Sequence, residues 1–189
     1  TPIKLSAERL QKKFSGVIDD PAFKMCTQTI IEQVDGLKEL VGEFSHFARL
    51  PQARPTLNDL NAVILETMVL YKEGHREVSF ESTLDETIPP FDLDKEQIRR
   101  VLINILENAL AAVKDNQSRP RQIHVSTHFD GVLKIARITI SDNGSGVLPE
   151  IRDRIFEPYV STKESGTGLG LAIVKRIVDD HHCFIRLQN

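Results

Sequence analysis

Phe23, Ile30, Leu37 and Phe44 recur every seven residues, with Thr27, Val34, Val41 and Ala48 interleaved on the neighbouring position. Such a stripe is a helix seam; a strand, whose side chains alternate every two residues, cannot keep it on one face. Ahead of it, Ile3, Ala7, Leu10, Phe14 and Val17 fall at spacings of four, three, four and three, and the stretch from Gly16 to Pro21 breaks the pattern. The reading is two antiparallel helices. One pair cannot bury so wide a stripe, so a second copy is the natural closure, giving a homodimer built on a four-helix bundle. A hairpin packed on its own domain is the other reading.

Two prolines, Pro51 and Pro55, stop the second helix and mark a boundary. Residues 1–50 are therefore expected to form the helical hairpin, 51–56 a linker and 57–189 a second domain. In that domain Thr56 or Asn58 is expected to cap a helix carrying Leu60, Val63, Ile64 and Val69, and residues 78–84 alternate as a strand. After Pro89-Pro90 a long helix is predicted from Asp94 to Lys114, with Ile98, Val101, Leu102, Ile105, Ala109 and Val113 as its buried stripe. Strands are predicted over 122–129 and 132–141, a short helix over 149–156, a longer one over 169–180 and a strand over 184–187. Adjacent hairpin strands mixed with helices argue for an α+β class, one sheet with helices on one face.

Composition excludes more than it assigns. The formal charge is −3 over 189 residues, which offers no basic field for nucleic acid. No apolar run approaches the roughly 20 residues of a membrane span, so no membrane contact is expected of this chain. Cys26 and Cys183 lie far apart without metal or redox spacing, which suits reduced thiols in the cytoplasm.

Three segments carry chemistry. In the strand read through 132–141, Ala136, Ile138 and Ile140 share one face, and the same parity next reaches Asp142, so a carboxylate is expected to point into apolar surroundings. Gly144 and Gly146 follow and remove side chains that would keep a flat ligand from the backbone. A strand ending in an Asn-Gly turn is the alternative. On the long helix, Asn104 and Asn108 stand four apart on one face, while Glu107 points about 100° away. An amide oxygen is a neutral ligand suited to Mg²⁺ shared with phosphates, although paired interhelical hydrogen bonds would need the same residues. Gly166-Thr167-Gly168-Leu169-Gly170 opens a helix with three alternating glycines and leaves backbone N–H groups free to face a phosphate. Neither the dinucleotide fingerprint nor the P-loop spacing occurs. Between the glycine segments, Phe156 and Tyr159 could anchor a loop bearing Thr162 and Lys163.

Asn104 to Asn108, Asp142-x-Gly144-x-Gly146, Phe156 and Gly166-x-Gly168-x-Gly170 resemble, in that order, the N, G1, F and G2 boxes of the sensor histidine kinases and their wider ATPase superfamily. The resemblance spans about residues 56–189 and implies a Bergerat-type α/β sandwich binding Mg-ATP. The hairpin resembles the dimerisation and phosphotransfer domain of these kinases. Thr1-Pro2-Ile3-Lys4-Leu5 is similar to the residues after the phosphoacceptor box of the nitrogen-regulation type, which puts the acceptor histidine upstream of Thr1 and implies that this chain does not label itself.

Carried over, the resemblance makes Asp142 the reader of the adenine amino group and Asn108 the Mg²⁺ ligand, with Asn104 its companion on the phosphate side. Gly144 and Gly146 would border the adenine; Gly166, Thr167, Gly168, Leu169 and Gly170 would border the phosphates. Residues 162–166 would form a short lid, with Lys163 as the phosphate cation because Ala111 stands where several relatives carry lysine. His181-His182-Cys183 replaces a more usual His-Gly pair, and the last strand of the domain is missing. The function implied is the cytoplasmic kinase core of a two-component sensor, itself soluble or part of a membrane-anchored protein. It would transfer the γ-phosphoryl of ATP to a histidine and onward to a response-regulator receiver domain. The alternatives are an ATPase of the gyrase or heat-shock type, which carries glutamate where Asn104 stands, an anti-sigma serine kinase, and a dimerising scaffold without nucleotide. The six histidines are expected to form no metal site: His124 and His128 take the outward parity of a strand, and His181 and His182 end a helix, where imidazole complements the dipole.

Overall fold

The computed structural model describes residues 1–18, 20–48, 51–114, 120–161 and 166–188. Asp20 starts the longer helix of the hairpin. Its carboxylate accepts the Ala22 N–H (2.8 Å), and Pro21, whose missing N–H costs nothing at a helix start, opens the first turn. The two helices are α1 (Pro2–Phe14) and α2 (Pro21–Ala48). Lys4 on α1 reaches both carboxylate oxygens of Asp35 on α2, at 2.8 and 2.5 Å. Ala7 and Thr27 are buried, the Thr27 hydroxyl donating to the Phe23 carbonyl one turn back. Ile30, Leu37 and Phe44 remain 44%, 62% and 47% exposed, so the heptad stripe lies open on a single chain. Val17 falls beyond the helix end and is exposed, where a continuing seam was expected.

A second unit holds Pro51–Ser161 together with the chain from Gly168 onward. Its order is β1 (Thr56–Asn58), α3 (Leu60–Gly74), β2 (Val78–Thr83), β3 (Phe91–Leu93), α4 (Lys95–Lys114), β4 (Arg121–Asp130), β5 (Ile135–Asp142), a short 3-10 turn over Pro149–Arg154, and α5 (Gly170–Asp180). Beta2 pairs parallel with β4, and β4 antiparallel with β5. Beta1 and β3 form a separate antiparallel pair, where a single sheet was expected. Those three-residue strands are too short for alternation to reveal. The helix-starting residue also differs: Asp59, not Thr56 or Asn58, caps α3 through the Asn61 and Ala62 N–H groups.

The sheet's period of two sorts its faces. Val78, Phe80, Ile123 and Val125 are buried beneath α3 and α4, while Ser79, Glu81, Ser126 and Arg137 take the opposite parity. The buried stripe of α4 runs through Val101, Leu102, Leu106, Ala109, Leu110 and Val113, wider than predicted because the helix packs against α3, the sheet and α5 at once. Ile98 packs at the edge of that core and Ile105 is half-buried. On α3, Thr67 and Met68 are buried and Val69 is exposed, reversing the expectation for Val69. Residues 184–187 are not a strand and Phe184 is 96% exposed; alternation is no substitute for a partner ladder, and none is present among the described residues. The α+β class, with a helical hairpin followed by a domain of helices layered on sheet, is as expected from the sequence.

Candidate nucleotide site

Alpha4 organises the site because it carries small and amide side chains along one ridge beside its buried apolar stripe. Asn104, Asn108 and Ala112 stand four residues apart, about 6 Å of rise per step, and so share that ridge. Asn104 is half-buried, its amide donating to the Arg100 carbonyl (2.8 Å). Its Oδ1 lies 2.8 Å from the position a Cβ at Gly170 would take, so any larger residue there would push the Asn104 amide from this place. Two turns along, Gly144 presses on Ala112: a Cβ there would meet the Ala112 carbonyl carbon and Cβ at 2.6 Å and its oxygen at 2.7 Å. Asn108, half-buried, stands on the ridge between these two close approaches.

The turn after β5 is held from two sides. The Asp142 carboxylate accepts the Gly144 N–H (2.9 Å), which bends the chain immediately after the strand. Asn143 accepts the Gln122 N–H (3.0 Å) and donates to the Pro120 carbonyl (2.7 Å), tying the turn to the start of β4. Gly146 follows in the left-handed region at φ 72°. Asp142 itself is exposed, where inward parity had predicted burial. Parity fixes the side of the sheet, but β5 is the edge strand in the order β2-β4-β5, and its inward side chains Ala136, Ile138 and Ile140 are themselves only half-buried.

The second glycine turn is built on backbone contact. Gly168 has φ 69°, and a Cβ there would lie 2.6–2.8 Å from the Tyr159 and Val160 main chain; Tyr159, itself at φ 67°, donates its N–H to the Gly168 carbonyl (3.0 Å). Leu169 is fully buried and precedes α5, whose apolar face of Ala172, Ile173, Val174 and Ile177 is buried. Phe156 is half-buried in the turn after the 3-10 segment. Gly166 and Thr167 group with the helical unit rather than with this one. Thr162 and Lys163 lie outside the described residues. The structure thus brings together Asn104, Asn108, Gly144 and Gly170 around α4, with Asp142 and Gly146 in the turn that carries Gly144, and Gly168 and Leu169 in the turn that starts α5.

Among the described residues no cluster of three acidic, histidine or cysteine side chains could hold a metal ion, so a cation here would depend on Asn108 with phosphate and water oxygens. That donor set suits Mg²⁺, which keeps most of its waters. Glu107, one residue away, turns to α3 instead, where the Tyr71 hydroxyl donates to it (3.3 Å); burial first, then the Glu107 charge, pushes the Tyr71 phenol up to about 12. His128 is exposed as expected, whereas His124 is half-buried and 3.0 Å from the Thr83 hydroxyl. Sequence reasoning missed Ala112 and Asn143. A small residue one turn beyond a helical asparagine, and an asparagine inside Asp-x-Gly, were the available signals.

Residues 93–189 match the family described as histidine kinase-, DNA gyrase B- and HSP90-like ATPase. Nitrogen regulation protein NtrY of Azorhizobium caulinodans is 42% identical over the whole of this chain, which spans 25% of that relative. The sensory histidine kinase/phosphatase NtrB of Vibrio alginolyticus is 31% identical over 97% of the chain, covering 53% of its own length. The chain therefore spans about a quarter to a half of these curated relatives. Among solved structures, histidine kinase ThkA in complex with response regulator protein TrrA superposes with a TM-score of 0.68 at 24% identity, covering 97% of this chain and 52% of that one. Full-length ShkA in complex with AMPPNP gives 0.67 at 23%, covering 94% and 37%. Both amide residues of α4 and both glycine turns fall inside the matched range, and the chain belongs to the histidine kinase-, DNA gyrase B- and HSP90-like ATPase family, in which it is similar to nitrogen-regulation-type sensor histidine kinases.

Proposed function

We propose that this chain is the Mg-ATP-binding kinase core of a two-component sensor, whose hairpin, about residues 1–50, dimerises and whose domain from about 57 onward holds the nucleotide. The observation that carries the reading is the pair of glycine turns pressed on α4 on either side of Asn108. A Cβ at Gly144 would collide with Ala112 and one at Gly170 with the Asn104 amide, so the two glycines let both turns lie against the helix that carries Asn108. Asp142, exposed at the strand end, accepts the adenine amino group. Asn108 offers its amide oxygen to Mg²⁺, and the N–H groups at the start of α5 face the phosphates. Bound Mg²⁺ supplies positive charge to the β- and γ-phosphates. Gly168 and Leu169 border the phosphates from the turn into α5, and the resemblance adds Thr162, Lys163, Gly166 and Thr167 as phosphate-side residues.

Phosphoryl transfer needs positioning and charge rather than a strong base. Asn104 fits that requirement, because an amide cannot take a proton from water at neutral pH, which weighs against an ATPase of the gyrase or heat-shock type. The open stripe of Ile30, Leu37 and Phe44 supports the homodimer, and the ThkA structure with its regulator supports a receiver domain as the onward acceptor. The AMPPNP complex of ShkA supports the adenine nucleotide. No helix among the described residues is long and apolar enough to cross a membrane, and we place the kinase core in the cytoplasm.

Calorimetric titration with ATP, with and without Mg²⁺, tests the reading. Asn108→Ala should weaken Mg-ATP far more than metal-free nucleotide, and Glu107→Ala should do much less. Equal effects of the two substitutions would remove Asn108 from the cation. Labelled ATP should leave the chain itself unlabelled, because none of its six histidines stands in a phosphoacceptor context.

A further inference from the structure

The nucleotide reading leaves the far end of α5 without a role, yet that end is tied to α4 by a single side chain. His181 caps α5, and its Nδ1 lies 2.8 Å from the Ile177 carbonyl oxygen. Its Nε2 lies 3.3 Å from the backbone N–H of Asp94, the residue immediately before α4. The Asp94 N–H can only donate, so Nε2 accepts, and the one ring proton sits on Nδ1, where it is given to Ile177. Both bonds exist together only for the neutral ring in this tautomer.

This contact has a counterpart at the other end of the helix pair. Asp94 and Asn104 are ten residues apart, and Gly170 and His181 eleven, which is about 15 and 16 Å along the two helices. Alpha4 and α5 thus touch at His181 and Asp94 at one end and at Gly170 and Asn104 at the other. A slide of α5 along α4 would break the first contact and drive the Gly170 main chain into the Asn104 amide or away from it. The same slide would displace the glycine turn at Gly168 to Gly170, because that turn runs directly into α5.

We propose that His181 is a positioning residue, whose neutral imidazole fixes the axial register of α5 on α4 and so keeps the phosphate-facing glycine turn seated against Asn104. The clamp itself is independent of any ligand; its effect on nucleotide affinity rests on the reading above. The Asp94 carboxylate oxygens are held by the N–H groups of Arg54, Glu96 and Gln97, which fixes the start of α4 where its own N–H meets the ring. Asp179 and Asp180 on α5 are engaged by Lys175 and Arg176, and the Cys183 thiol donates to the His181 carbonyl.

Glutamine and asparagine separate the two bonds. The amide oxygen of Gln reaches the place of Nε2 and can accept from Asp94, whereas the amide of Asn reaches only the place of Nδ1. Hydrogen exchange at the Asp94 amide and Mg-ATP affinity are measured on the intact chain carrying His181→Gln, His181→Asn or His181→Ala. Exchange at Asp94 should speed up in the Asn and Ala variants and stay near wild type in Gln. Affinity should fall in the same order, by about two- to tenfold, the worth of one ordinary hydrogen bond. Should Ala fail to fold, the contrast between Asn and Gln decides. Equal Asp94 exchange in Asn and Gln overturns the clamp, and unchanged affinity where that amide is exposed overturns its positioning role. A wild type that binds no nucleotide refutes the nucleotide reading, and with it the effect on affinity, while Asp94 exchange still decides the clamp.

Discussion

Gly144→Ala is the sharpest single probe of the architecture around α4. One methyl group is added where three atoms of Ala112, two of them main chain, stand 2.6–2.7 Å away. Carbon atoms in good contact sit about 3.5–4.0 Å apart, so the turn and α4 must separate by roughly 1 Å. The neighbour is helix backbone and cannot rotate aside. Overpacking of this kind costs about 1–3 kcal/mol, and we expect the upper half of that range because Asn143 also anchors the turn to β4. Gly144 is not in the left-handed region, so the cost is contact alone. Urea unfolding reads the stability and Mg-ATP titration reads the site. Gly131→Ala is the control, since a Cβ there meets nothing within 4 Å. Adding Ala112→Gly removes one of the three colliding atoms and leaves two, so a double-mutant cycle should show partial and not full relief. If Gly144→Ala unfolds at the same urea concentration as Gly131→Ala and binds nucleotide like wild type, the close approach of this turn to α4 is wrong.

Three further outcomes are expected. Asp142→Asn should weaken ATP by about 1.5–3 kcal/mol, or ten- to 150-fold, the value of a hydrogen bond to a charged group, and should blunt adenine selectivity; equal affinity by calorimetry would take Asp142 out of the adenine role. Leu37→Asp places a charge in the open stripe and should dissociate the proposed dimer while the nucleotide domain stays folded, as read by sedimentation; a wild-type monomer at tens of micromolar, on the order expected for such assemblies, would refute the bundle. Asp85 is held below the ordinary carboxylate range by the Thr87 hydroxyl, the Thr87 N–H and the Phe129 N–H, so its contribution is present above about pH 4, the unfolded value, and is lost as pH falls through the lower folded one. Wild type and Asp85→Asn should therefore converge in urea stability towards pH 3, and a constant difference down to pH 2.5 would contradict the linkage.

The long elements were legible because periodicity is a local property. Seven-residue spacing identified α2, two-residue spacing identified β4 and β5, and the stripe from Val101 to Val113 identified α4 to within one residue at its start. The order of the amide pair and the two glycine segments was equally a property of the chain, and it sufficed to name the family. Tertiary structure decided what no local pattern contains. Beta1 and β3 exist only because each supplies the other's ladder, and residues 184–187, which alternate just as well, have no such partner among the described residues. Val69 faces out and Thr67 in because α3 meets α4 on one face only. Asp142 keeps the inward parity and is still exposed, since it ends the edge strand of the sheet, whose inward side chains are covered only in part. Ala112 became part of the site, and His181 a link between two helices, through main-chain neighbours 32 and 87 residues away along the sequence. Sequence periodicity specifies which way a side chain faces; only packing specifies what, if anything, is there to meet it.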